Sequence, residues 1–151
     1  MNIAKHSNSW SSQRLQKKQY RYSIKRKPNL ITPLLVGTLF GTYVDLYFVG
    51  KGLYSFPVRP MPTIFSINIL FTLVILPLFS AFFLLICNKI NGIRKMTFFI
   101  LVSLCISFCE KLAAGIGFFV PSPLWNHSYS FIGYFLYLLL IYYVYKKTYQ
   151  Y

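Results

Sequence analysis

The sequence predicts an all-α integral membrane bundle of four transmembrane helices, with both the N- and C-termini cytoplasmic. Three observations carry that prediction. Apolar residues make up 56% of the 151 and charged residues only 12%, about half of the roughly 25% usual in globular domains. The apolar residues gather in four runs, at 30–49, 63–87, 96–120 and 129–145, and a helix needs about 20 residues to cross a hydrocarbon core. Sixteen Lys and Arg accompany only two acids, Asp45 and Glu110; both acids lie inside the runs, while nearly all the basic residues lie outside them.

Helix is the secondary structure these runs call for. Backbone groups in lipid must be satisfied within the segment or in a closed barrel, and the runs lack the polar–apolar alternation of barrel strands. Orientation follows from the basic residues. The tail, the second loop and the C-terminus share one side and hold thirteen Lys and Arg; the first loop holds only Lys51 and Arg59, and the third holds none. The excess of positive charge marks the cytoplasmic side.

Residues 1–29 form a basic tail with eight Lys and Arg. A secretory signal would have a short basic start, a brief apolar core and a small-residue cleavage site. None of these is present, so the tail is expected to remain attached. It reads either as a disordered segment that sets topology or as a helix lying on anionic lipid headgroups. The lipid bilayer is thus the expected partner. Nucleic acid is not expected, because charge is present without a stacking or readout surface.

In the first run Gly37, Gly41 and Asp45 recur at steps of four and share one helix face. Gly37-x-x-x-Gly41 allows close approach, which directs that face toward a neighbouring helix. Gly50-Lys51-Gly52 reads as the helix end. The second run carries Ser66, Asn68, Thr72 and a kinking Pro77. In the third, Ser103, Ser107, Glu110, Ala114 and Gly117 form one small or polar stripe. Lys111 lies about 100° further round the helix. The fourth run is rich in tyrosine. Most of these suit a membrane-interface belt, while Tyr134 and Tyr137 are the two placed to add hydroxyls to a polar interior. Cys87, Cys105 and Cys109 read as small apolar residues within the bundle. Their spacing matches no metal site, and no cofactor is expected.

The candidate polar site comprises Asp45, Arg59, Glu110, Trp125 and His127. Asp45, Arg59, Trp125 and His127 are expected together at the outer membrane face, with Glu110 beneath them. An Arg held between two carboxylates would lower the cost of all three charges.

One stretch carries a resemblance. Tyr54-Ser55-Phe56-Pro57-Val58-Arg59-Pro60, followed by Pro77, Glu110 and Trp125-Asn126-His127 in that order, resembles an uncharacterised family of small multi-pass membrane proteins from spore-forming Gram-positive bacteria. The likeness covers residues from about Tyr43 to Tyr145, and the long basic tail departs from it. It implies a bacterial plasma-membrane protein without bringing an activity.

Three function classes remain open. The first is a binding module in which Arg59, Trp125 and His127 receive a small ligand or lipid headgroup and the two acids relay a proton or cation. A single copy leaves little room for a pore, so permeation would require a homo-oligomer. The second is a structural or assembly protein whose polar residues specify helix packing. The third is an intramembrane enzyme, which has the least support because HExxH, GxSxG and paired-aspartate motifs are all missing.

Overall fold

The computed structural model describes residues 29–150, so the basic tail, apart from Asn29, lies outside the described residues. Four helices follow: α1 (Ile31–Gly50), α2 (Phe71–Cys87), α3 (Ile93–Gly115) and α4 (His127–Gln150). Three of them, α1, α3 and α4, are long and apolar enough to cross a membrane. The second, α2, is shorter. It has five π-helical residues, Phe71–Ile75, followed by twelve α-helical ones, Leu76–Cys87.

Three elements differ from expectation in their boundaries. The run at 63–87 becomes helical only near its second third, because the chain before it is a loop wound around Arg59. The helix then starts behind Asn68, whose Oδ1 accepts the Phe71 N–H at 3.2 Å. Pro77 lacks an N–H and crowds the preceding turn, and the π-helical turn just ahead of it widens the helix at that point. The run at 96–120 begins earlier and ends earlier, since Arg94 and Lys95 join the helix while residues 116–120 leave it. The last run lengthens at both ends. Asn126 Oδ1 accepts the Ser128 N–H at 3.0 Å and so starts α4 ahead of its apolar residues.

Two helix ends share one design. After α1, the Gly52 N–H bonds the Val49 carbonyl at 2.9 Å and the Leu53 N–H bonds that of Phe48 at 3.0 Å. After α3, the Gly117 N–H bonds the Ala114 carbonyl at 3.2 Å and the Phe118 N–H bonds that of Ala113 at 3.0 Å. Each is a Schellman motif, with a glycine at φ +68° and +79° respectively. Gly117 therefore ends α3 and does not extend its small-residue stripe.

Both motifs turn the chain into a short strand. β1 (Tyr54–Ser55) pairs antiparallel with β2 (Val120–Pro121), Tyr54 opposite Pro121 and Ser55 opposite Val120. The Ser122 N–H adds a bond to the Leu53 carbonyl at 2.9 Å. This clip joins the α1–α2 and α3–α4 connections at one end of the bundle.

The hub is α4, which packs on α3, α1 and α2. Its Tyr137, Leu138 and Ile141 meet Leu76, Phe83 and Leu84 of α2 and Phe99 of α3 in one buried cluster. The Tyr137 hydroxyl shares a hydrogen bond of 2.8 Å with Ser80 of α2. Lys95, at the opposite end from the clip, donates to the Tyr142 hydroxyl at 2.8 Å. Cys87 is buried, but Cys105 and Cys109 are exposed on α3, so only the first of the three packs as expected. Many large apolar side chains face outward, among them Leu39, Leu78, Phe82 and Phe108. Lipid supplies the environment such a surface needs.

Gly37 and Gly41 meet side chains of neighbouring helices. A Cβ on Gly37 would lie 2.8 Å from both Ile141 Cγ2 and the Tyr137 hydroxyl, and one on Gly41 would strike Leu76. Overpacking of this kind costs about 1–3 kcal/mol. Gly37→Val is expected to lower the thermal unfolding midpoint in detergent. Gly133→Ala, which enters open space, is expected to leave that midpoint within error of wild type.

Candidate functional site

The two acids sit at the clip end, each held by a tyrosine. Asp45, near the end of α1, accepts a hydrogen bond of 2.6 Å from the Tyr54 hydroxyl of β1. Glu110, in the last turns of α3, accepts one of 2.7 Å from the Tyr134 hydroxyl on its Oε2. Its Oε1 accepts a second from Ser130. Ser130 and Tyr134 lie four residues apart on one face of α4, so a single carboxyl group takes both donors. The Asp45 and Glu110 carboxyl groups lie within electrostatic reach of one another, and Tyr134 is within reach of both.

An aromatic layer covers this pair. Tyr54 contacts the rings of Phe56 at 5.5 Å, Phe119 at 5.0 Å and Trp125 at 5.0 Å. Edge-to-face geometries recur among them, as ring quadrupoles favour. Trp125 also donates from Nε1 to Ser130 Oγ at 3.1 Å. One indole thus touches both halves of the site, Tyr54 by its ring and the Glu110 side by its N–H. Burial, and then the neighbouring Asp45, hold the Tyr54 hydroxyl above its ordinary titration range, so it serves as a donor.

Arg59 does not stand between the carboxylates. Its Nε, Nη1 and Nη2 donate to the main-chain carbonyls of Phe65, Phe56 and Pro62 at 2.7, 2.5 and 3.2 Å. The reason lies in its neighbours. Pro57, Pro60 and Pro62 carry no N–H, and the guanidinium, with five donors, supplies part of what that stretch lacks. His127 opens α4, and its side chain lies outside the described residues. Trp125 joins the two acids in the cluster. Of the stripe residues, Ser103 is fully buried and donates to the Phe99 carbonyl at 2.8 Å, while Ser107 and Ala114 are half-buried on the same helix.

Sequence reading missed two of the donors, Tyr54 and Ser130, and placed the Tyr134 hydroxyl in the polar interior without naming Glu110 as its acceptor. Tyr54 lay inside the stretch that carries the resemblance, but nothing in the spacing ties it to Asp45. The usable signal for Ser130 and Tyr134 was their four-residue separation opposite an acid. Among the described residues no three His, Cys, Asp or Glu side chains converge as a metal-binding group.

Beside the cluster runs an apolar groove of about 320 Å³ lined by Phe48, Leu53, Leu124, Trp125, Tyr129, Ile132, Gly133 and Leu136. It lies between α1 and α4 beneath the clip. Gly133 makes the hollow, for no atom lies within 4 Å of where its Cβ would be. Trp125 is the wall shared by groove and polar cluster.

Fold and site together define a helical membrane protein with a tyrosine-bound acid pair at one end of its bundle. No known protein family, curated protein or solved structure matches the chain.

The bond between Tyr134 and Glu110 joins two helices and is open to a double-mutant cycle. Glu110→Leu and Tyr134→Phe are expected to show a coupling of about 0.6–1.7 kcal/mol in mixed-micelle unfolding, the span found for hydrogen bonds between membrane helices. Simple additivity would show that the bond does not hold α3 to α4.

Proposed function

We propose that this is a four-span protein of a bacterial plasma membrane that binds an amphipathic ligand at the outer end of its bundle. Both termini are cytoplasmic in this reading, and the clip faces outward. The distribution of basic residues supports that orientation: Lys89, Arg94 and Lys95 fall at the end opposite the clip, together with Lys146 and Lys147. The basic tail then meets anionic headgroups of the inner leaflet.

The observation that carries the binding reading is the double position of Trp125. Its ring lines an apolar groove, and its N–H is bonded to the serine that holds Glu110. An apolar tail lying in the groove would bring its polar end to the clip, next to Asp45 and Glu110. The headgroup the site suits carries hydrogen-bond donors or a positive charge, because the groove wall Trp125 is linked through Ser130 to a carboxyl group, Glu110. Arg59 is committed to its own loop, which weakens the case for an anionic headgroup.

A second reading keeps the polar residues structural. It is favoured by the hydrogen bonds themselves, since Glu110 joins α3 to α4 and Asp45 joins α1 to β1. In that case the cluster specifies packing, and the protein acts through partners or a homo-oligomer.

Filling the groove separates the two. Gly133→Leu adds a side chain where there is space and touches no polar partner. Native mass spectrometry of gently solubilised protein is expected to find an amphipathic molecule on wild type and none on Gly133→Leu, with thermal stability retained. The same lipid complement on both would leave the groove idle and favour the structural reading.

A further inference from the structure

The connection between β1 and α2 looks, by composition, like the start of a transmembrane helix, yet it is a loop built unlike a solvated one. Val58, Met61 and Ile64 are 52%, 53% and 70% exposed. Between Arg59 and Lys89 the chain has no charged residue at all. A water-facing turn would normally carry polar side chains and leave its carbonyls to solvent. Here the carbonyls of Phe56, Pro62 and Phe65 are taken by Arg59, and that of Met61 accepts the Ile64 and Phe65 N–H groups at 3.0 Å each. Pro57, Pro60 and Pro62 further reduce the number of N–H groups that need partners. The loop binds four of its carbonyls internally and turns Val58, Met61 and Ile64 outward, with Ile67 buried beneath.

The helix that follows supplies an independent reason. Ile69 and Leu70 are helical ahead of Phe71, and at about 1.5 Å per residue the whole helix rises about 28 Å, against a hydrocarbon core of about 30 Å. The second crossing therefore has no length to spare, and the loop sits at its end. Irregular backbone is tolerated at membrane depth only where its polar groups are satisfied by protein, and the Arg59 bonds meet that requirement for three carbonyls.

We propose that the Arg59-stapled loop, residues 56–68, is seated in the acyl–headgroup boundary of the outer leaflet and completes the second crossing. Val58, Met61 and Ile64 contact lipid, and Arg59 is the residue that makes the loop compatible with that depth. The proposal rests on the four-span orientation given above; it is independent of any ligand in the groove.

The test is spin-label accessibility in vesicles of phosphatidylethanolamine and phosphatidylglycerol, using full-length protein carrying Cys105→Ala and Cys109→Ala. Labels at Ile64→Cys, at Lys51→Cys as water reference and at Leu39→Cys as lipid reference are compared for collision with oxygen and with a water-soluble nickel chelate. The Ile64 label is expected to favour oxygen, as at Leu39. A nickel-favouring label, as at Lys51, overturns the proposal, and so does a label shielded from both reagents, which would place protein over the loop. Adding Arg59→Lys, which keeps the charge but not the fork of donors, is expected to shift the Ile64 label toward nickel; an unchanged ratio removes Arg59 from the account. An impermeant thiol reagent that reaches Lys51→Cys only from the inner side would overturn the orientation while leaving the depth result intact.

Discussion

Glu110 reaches from α3 to two hydroxyls one turn apart on α4, and the clip end is arranged around that reach. A carboxyl group this far along an apolar helix loses hydration worth several kcal/mol. Hydrogen bonds from Ser130 and Tyr134 offset part of that loss, and they fix the rotation of α3 against α4 as they do so. Trp125 then orients on Ser130, Tyr54 packs on Trp125, and the Tyr54 hydroxyl completes Asp45. Four elements are set in register by a chain of contacts that starts from one side chain.

The same demand for internal partners shapes the backbone. Schellman turns at Gly52 and Gly117 close the final carbonyls of α1 and α3 and deliver both chains to the β1–β2 pair. Where prolines leave carbonyls without neighbouring donors, a guanidinium serves in place of the main chain. Low hydration thus gives the clip end an economy in which tyrosine, serine and arginine do what water does for a soluble turn.

Much of the helical layout was legible, for identifiable reasons. The end of α1 could be read from Gly50-Lys51-Gly52 because a left-handed glycine after an apolar run has one common use. Asp45 and Glu110 stood out because an acid in an apolar run has few harmless explanations. Three things were hidden. Hydropathy counts side chains and not backbone, so residues 63–68, with Ile64, Phe65 and Ile67 leading into the apolar run, read as helix although their backbone is a loop. Opposite charges suggest pairing, so Arg59 was assigned to the acids, when three main-chain carbonyls nearer in sequence took its donors first. The interhelical partners of Glu110 depended on the rotation of α4, which its aromatic-rich pattern leaves nearly featureless.

The clip has a consequence for how the protein is made. β1 leaves the ribosome with the first helical pair, whereas β2 emerges only after α3 has been synthesised, and α4 comes later still. Until then Tyr54 lacks its strand partner and the aromatic layer is half assembled. Closure of the clip is a late step of biogenesis, coupled to the arrival of the last helix, and it joins the α1–α2 and α3–α4 pairs into one unit.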